Sequence, residues 1–170
     1  MLVYHPAFDL YNCVFRMLCL LSKSNEAEIH LEKLRIWDFY LAFPNQVRTI
    51  TFPSELKPLK DTIFKNKNNP YEHIPDSKMM FDRMKTYQMS AINCLASYGF
   101  IENKCLRQNI IKKTDKTVPK ELIEVINNLS KEKENIIKLV VNEFVDLPFY
   151  GNKGLKARTG LIDFKYDPRN

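Results

Sequence analysis

Apolar residues recur at helical spacing in the first quarter of the chain, and this periodicity restricts the fold more than any other feature. It predicts one helix between residues 7 and 22 and a second between residues 31 and 43, which Pro44 ends because proline cannot continue a helix. The apolar positions that share a face in these helices are Phe8, Tyr11, Leu18, Leu21, Leu31, Leu34 and Leu41. Residues 26–31 between the helices are predicted to be a short extended segment. An order of helix, strand and helix is typical of the start of a winged-helix domain.

Capping residues predict two further helices between residues 76 and 98. Asp76 or Ser77 is suited to begin the first of them, and Thr86 is suited to begin the second. Gly99 follows the second helix and can adopt the left-handed conformation in which helices commonly end.

The sequence after this glycine alternates weakly, which predicts a two-stranded hairpin within residues 100–116, turned at residues 102–104. Such a hairpin would be the wing of a winged-helix domain. Two more helices are expected at residues 119–129 and 136–147, and residues 161–164 resemble a short strand.

Glycine is scarce, with 4 among 170 residues, whereas 11 Phe, 8 Tyr and 1 Trp are present. This balance favours helices packed on aromatic side chains over a turn-rich β-sandwich. The length suits one hydrophobic core, so we expect a single domain. Its parts are a helical segment 1–46, a long connection 47–75, a helical and winged-helix-like segment 76–147 and a basic tail 148–170. The predicted fold class is mainly α with short β-hairpins, a winged-helix-like α+β domain.

The four cysteines lie in or beside apolar stretches and form no CxxC pair, so we expect free thiols in a reducing compartment. They are Cys13, Cys19, Cys94 and Cys105. The longest apolar stretch, residues 14–21, is interrupted by Arg16 and is shorter than the roughly 20 residues that span a bilayer. The chain also begins without the basic segment of a signal peptide. We therefore expect a cytoplasmic protein that does not bind membranes.

No arrangement of nucleophile, metal ligands or phosphate-binding loop is visible in the sequence. His5, His30 and His73 are far apart, and none has a second ligand at HxxxH or HExxH spacing. The glycine-rich residues 151–160 lack the GxxxxGK[ST] order of a Walker loop. We predict no catalytic residue, no metal site and no cofactor. An enzyme whose residues meet only in the folded chain is the weaker alternative.

Lys and Arg exceed Asp and Glu by 26 to 20, and the surplus is clustered. One cluster coincides with the predicted wing, where strands that carry cations can contact DNA phosphates. Its candidate DNA-contact residues are Lys104, Arg107, Lys112, Lys113 and Lys116. A second cluster lies at residues 57–67. Solvated lysine-rich turns are the alternative interpretation for both.

Several segments together resemble the middle components of bacterial ABC-three-component systems. The residues that carry the resemblance are YHPAFD at 4–9, FR at 15–16, LRIWDFYLAFP at 34–44, PFYG at 148–151, GLKARTGL at 154–161 and FKY at 164–166. These systems are anti-phage or anti-plasmid operons, and Lamassu-type systems are their best-described case. In them a middle component accompanies an SMC-like ABC ATPase and an effector such as a nuclease.

The resemblance implies a non-catalytic adaptor that links the ATPase to the effector in defence and holds the effector inactive until foreign DNA is sensed. Aromatic and basic side chains can anchor such an interface. The candidate partner-binding residues are Trp37, Tyr40, Tyr150, Lys153, Lys156 and Arg158. For Trp37 and Tyr40, packing in the core is the alternative. A winged-helix DNA-binding transcriptional regulator is the alternative for the whole chain.

Overall fold

A computed structural model describes residues 4–63, 76–164 and 167. Within these residues the chain is mainly helical, with one small antiparallel sheet of two strands. The helices are α1 (Leu10–Lys23), α2 (Leu31–Ala42), α3 (Lys57–Ile63), α4 (Ser77–Ser97), α5 (Asn103–Leu106), α6 (Lys120–Glu132), α7 (Glu134–Lys138) and α8 (Leu155–Thr159). The strands are β1 (Glu28–His30) and β2 (Ile110–Lys112). His73, Lys65 and Lys67 lie outside the described residues.

The first predicted helix is present but begins later than expected. Pro6–Phe8 form a separate 3-10 turn, and α1 begins after Asp9, whose side chain accepts a hydrogen bond from the Asn12 amide. The chain remains extended at His5 because a residue before proline avoids the helical region. Helix α2 matches its prediction and ends before Pro44.

The segment between these helices is a strand, as predicted, but its partner lies far along the sequence. Strand β1 pairs antiparallel with β2, with Glu28 opposite Lys112 and His30 opposite Ile110. Ile29 is buried in this pairing. The sheet therefore joins the N-terminal and central parts of the chain.

Helix α4 runs unbroken through residues 77–97, so the predicted division at Thr86 is wrong. Asp76 caps its first turn, and Gly99 has a φ of +79°, the left-handed conformation expected after a helix. The continuous helix presents Phe81, Met84, Ile92 and other apolar residues to the core, and this burial outweighs the capping tendency of a mid-helix threonine.

The predicted hairpin is present only at its base. Ile101 bridges Lys113, and the Glu102 amide donates to the Lys112 carbonyl, but the tight turn at residues 102–104 is wrong. Residues 103–109 form a longer loop that includes α5. Strand β2 follows this loop and pairs with β1 rather than with a strand of the predicted hairpin.

The connection 47–75 is more ordered than predicted over its first part. Pro44–Thr49 and Ser54–Leu56 are 3-10 turns, α3 follows them, and Val47, Ile50 and Phe52 are buried. Periodicity could not reveal this segment because a 3-10 turn does not repeat over enough residues to produce a pattern. Its remainder, residues 64–75, is outside the described residues.

Helices α6 and α7 are separated by one residue, and α7 continues into a π-helical turn, Leu139–Glu143. The C-terminal tail contains α8, which was not predicted, and residues 161–164 are not a strand. Buried residues from Ala7 to Leu161 form one cluster. Among the described helices, none combines the length and apolar content needed to cross a bilayer.

Candidate functional site

The glycine-rich C-terminal loop folds back on itself and is anchored to the N-terminal half of the chain. The Leu155 amide donates to the Pro148 carbonyl at 2.8 Å, which closes the loop. Position 154 has no room for a side chain. A Cβ there would lie 2.6 Å from the Tyr150 carbonyl carbon and 2.8 Å from the Phe149 carbonyl oxygen, so only glycine fits without a shift of the backbone. We call residues 148–160 the C-terminal loop.

Aromatic rings of this loop pack on the start of α2. The Phe149 ring stacks on the His30 ring at 4.4 Å between centroids, and the Tyr150 hydroxyl lies 3.2 Å from His30 Nε2. The Lys156 ammonium lies 5.2 Å from the centroid of the Tyr150 ring, within cation–π range. Lys156 also pairs with Asp167 at 2.5 Å. These contacts fix Tyr150 while its side chain remains 44% exposed.

Arg158 connects the same loop to residues 47–52. Its Nη1 donates to the Thr51 carbonyl at 3.0 Å, its Nε donates to the Lys153 carbonyl at 2.7 Å, and its backbone carbonyl accepts from the Thr51 amide. Tyr150, Lys153, Lys156 and Arg158, four of the candidate partner-binding residues, therefore lie on one compact segment, with Lys153 fully on its surface. We call this group the C-terminal patch.

Trp37 and Tyr40, the other two candidates, lie elsewhere. Both have 0% exposure inside the core, where the Phe39 ring packs edge-on against the Tyr40 ring. No surface of either side chain is available to a partner in this conformation, which agrees with the core-packing alternative. Large aromatic side chains bury more apolar area than any others, so a helix with a broad buried face places them inside.

The five candidate DNA-contact residues fall into two groups: three form a hydrogen bond or ion pair within the described part of the chain and two do not. Lys113 Nζ donates to the carbonyls of Leu21 and Ser24 at the end of α1, and Lys112 pairs with Glu102 at 3.4 Å.

Lys116 Nζ donates to the Tyr98 carbonyl and lies over the Phe100 ring. Lys104 and Arg107 are exposed on the loop 103–109 and have no partner among the described residues. Of the five candidates, only Lys104 and Arg107 have a charged group that forms no hydrogen bond or ion pair with another described residue.

His30, for which the sequence indicated only a structural role, is the N-cap residue of α2 and contacts the C-terminal loop. Its Nδ1 accepts from the Glu32 amide and caps α2, so the neutral ring carries its proton on Nε2, which faces Tyr150. Burial lowers the pKa of His30, and the nearby Lys156 and Lys33 add to that effect while Glu32 opposes it. Burial likewise lowers the pKa of His5, whose Nδ1 caps the Pro6–Phe8 turn.

We expect the protein to lose stability as pH falls below about 6.5, the unfolded-state pKa of histidine. The folded protein favours neutral His30 and His5, so their contribution is complete above the unfolded pKa and is lost as pH falls through the lower folded pKa. In His30→Asn the amide oxygen still caps α2 but does not titrate. Urea unfolding between pH 5 and 7.5 should therefore show a shallower pH dependence for this variant, and identical slopes would contradict the assignment.

In the described part of the chain, no group of three or more His, Cys, Asp or Glu side chains is placed to hold a metal ion. Burial raises the pKa of the Cys19 thiol to about 11, and it raises the pKa of Cys13 as well, so neither is prepared to act as a thiolate nucleophile.

The blocks of sequence at the two ends of the chain meet the same helix. Arg16 of α1 pairs with Asp38 of α2 at 2.7 Å and donates to the Pro6 carbonyl, and the C-terminal loop rests on His30 at the start of α2. A family model for the ABC-three component (ABC-3C) system Middle Component 5 matches residues 2–167. The chain belongs to this middle component family. No curated protein and no solved structure matches it.

Membership in the ABC-3C middle components implies that the protein acts with the other components of such a system. The matched region contains both ends of the chain, including the C-terminal loop and its contact with α2. For this middle component, the C-terminal patch combines internal hydrogen bonds with an exposed tyrosine, Tyr150, and an exposed lysine, Lys153.

Proposed function

We propose that this protein is a non-catalytic adaptor that connects an SMC-like ABC ATPase to an effector, such as a nuclease, in anti-phage or anti-plasmid defence of the Lamassu type. Membership in the middle component family supports a role within a multi-component system. Under this proposal the ATPase and the effector are the catalytic components.

The observation that carries the proposal is the exposed Tyr150. Its hydroxyl lies beside His30 and its ring beside the Lys156 ammonium, yet 44% of the residue faces solvent. An aromatic side chain held in one conformation loses little entropy when a partner covers it, and Tyr and Arg are enriched among the residues that dominate binding energy. We propose that the C-terminal patch contacts a protein component of the system.

The test is capture of the other components of the same system, co-expressed with tagged protein. The variant Tyr150→Ala/Lys153→Glu removes the aromatic anchor and reverses an exposed charge. We expect capture of one component to decrease about tenfold or more, because a binding anchor contributes roughly 2 kcal/mol or more. A matched control, Tyr98→Ala/Lys104→Glu, makes the same two changes at another exposed tyrosine and lysine and should capture normally.

Two results would oppose this proposal. If the wild-type protein captures no component, the adaptor role fails. If capture is equal for the two double variants, the C-terminal patch is not the contact surface. Circular dichroism of both variants checks that the fold is retained.

A second candidate function is DNA contact through a winged-helix fold, and the connectivity favours it. Strand β1 lies between α1 and α2, and α4 is followed by the paired segment whose loop 103–109 carries Lys104 and Arg107. Against it, Lys78 at the start of α4 is paired with Asp163, and other cations near the loop are paired within the chain. Binding of the isolated protein to duplex DNA that weakens steeply with salt would favour this function, whereas absent or salt-independent binding would remove it.

A further inference from the structure

A cleft with an accessible volume of about 420 Å³ lies between α6, α7 and the end of α1, on surface that the proposed function does not use. Its size is within the roughly 300–1,000 Å³ of small-molecule sites. The residues that line it are Lys23, Asn127, Ser130, Lys131, Glu134, Ile137, Lys138, Val141 and Asn142. Hydrogen-bond donors predominate among these described residues, and none of them has an aromatic ring to stack on a flat ligand.

The charge in the cleft is positive. Three lysines from three different helices line the cleft, and among the described side chains that line it the one carboxylate is Glu134, which is paired with Lys138 at 2.5 Å. Lys23 and Lys131 form no hydrogen bond or ion pair with any side chain that the structure describes. Two ammonium groups are therefore left for a ligand, beside amide and hydroxyl donors of Asn127, Ser130 and Asn142.

A lysine in the last turn of a helix commonly serves to stabilise the terminal carbonyls, and this use does not account for the cleft lysines. At the end of α1, Lys113 already donates to the carbonyls of Leu21 and Ser24. Beyond Lys131 the backbone continues from α6 into α7 and then into the π-helical turn, with the Ile137 amide bonded to the Lys133 carbonyl. Lys23 and Lys131 thus have no partner of this kind.

One wall of the cleft is the π-helical turn Leu139–Glu143, closed by a hydrogen bond from the Phe144 amide to the Leu139 carbonyl at 3.0 Å. Such turns are rare and are found frequently at functional sites. Val141 and Asn142 of this turn line the cleft, and Asn142 is exposed while Leu139, Val140 and Val141 are buried. The irregular backbone therefore lines the same cleft as Lys23 and Lys131.

We propose that this cleft binds a ligand with adjacent phosphoryl groups. Ammonium groups are effective point-charge partners for phosphate oxygens, and neutral amide and hydroxyl donors add direction to the contact. Lys23 and Lys131 contact the anion, Asn142 donates to it from the π-helical turn, and Lys138 keeps Glu134 neutralised. This site is separate from the C-terminal patch and does not depend on the adaptor role.

The test is isothermal titration calorimetry of the full chain with sodium tripolyphosphate. We expect saturable binding of one equivalent that weakens with added salt. Lys23→Ala/Lys131→Ala should weaken binding at least tenfold, whereas Lys57→Ala/Lys85→Ala, which removes the same charge at two exposed lysines away from the cleft, should change it less than twofold. Asn142→Ala changes no charge and should weaken binding several-fold.

Absence of saturable binding would overturn the proposal, as would an equal loss in the two lysine double variants, because either result indicates only general attraction of an anion to a basic protein. A competition arm identifies the source of the phosphoryl groups. If duplex DNA displaces tripolyphosphate, the site accepts a nucleic-acid backbone. If only pyrophosphate displaces it, the site is specific for a small phosphorylated molecule.

Discussion

Asp38→Ala is expected to destabilise the protein by roughly 3–5 kcal/mol, the cost of leaving a buried ionic partner uncompensated. Asp38 has 0% exposure, and its carboxylate accepts from Arg16 Nε at 2.7 Å and from Gln88 Nε2 at 2.9 Å. Without it the Arg16 guanidinium, only 5% exposed, retains the Pro6 carbonyl as its other partner. Total stabilities are about 5–15 kcal/mol, so this loss is a large fraction of the whole.

Urea unfolding followed by circular dichroism measures the effect, and a double variant separates charge from packing. In Arg16→Met/Asp38→Leu both charges are replaced by apolar groups, and buried ion pairs replaced in this way are often neutral or stabilising. We expect the double variant to be more stable than Asp38→Ala alone. If the two are equally unstable, the uncompensated charge of Arg16 is not the cause of the lost stability.

The local sequence pattern correctly predicted those elements whose buried residues recur at the expected spacing. Helix α2, the strand before it and the glycine after α4 were all visible in the sequence, because each depends on neighbouring residues. The break in α4 at Thr86 was predicted from capping preference, and the buried apolar face of one long helix overrode that preference.

Features that depend on distant residues were not visible. The pairing of β1 with β2 joins strands about eighty residues apart, and no local pattern specifies such a partner. For the same reason, the sequence marked the wing cations without showing that Lys113 is used to cap α1. An exposed lysine and a lysine that donates to a helix end look alike until the fold is known.

The sequence indicated which segment carries the candidate site, and partner binding by its residues remains a prediction. The C-terminal loop was marked by its glycines and cations, and Tyr150, Lys156 and Arg158 lie together on it. The sequence could not decide whether Trp37 is buried, because an aromatic residue on a helix can pack in the core or bind a partner at an interface. His30 was missed as a member of the site, and the only local signal for it was its position immediately before α2, where a side-chain acceptor can cap a helix.

Gly154→Ala is expected to disrupt the C-terminal loop more than any other single methyl addition to a glycine in the tail. Its φ of −77° suits any residue, so the cost is steric: a Cβ would meet backbone atoms of Phe149 and Tyr150, which cannot rotate away as a side chain could. Overpacking of this kind typically costs about 1–3 kcal/mol. Because the loop carries the C-terminal patch, capture of the partner component should decrease along with stability.

Gly151→Ala is the matched control, because it adds the same methyl group three residues earlier in the same loop. Gly151 has a φ of +85° and no atom within 4 Å of an added Cβ, so the cost there is backbone strain alone, about 1–2 kcal/mol. We expect Gly154→Ala to lower both the urea midpoint and partner capture further than Gly151→Ala does. If Gly154→Ala unfolds at the wild-type urea concentration and captures the partner normally, the close approach of Gly154 to the Tyr150 carbonyl does not hold the patch in place.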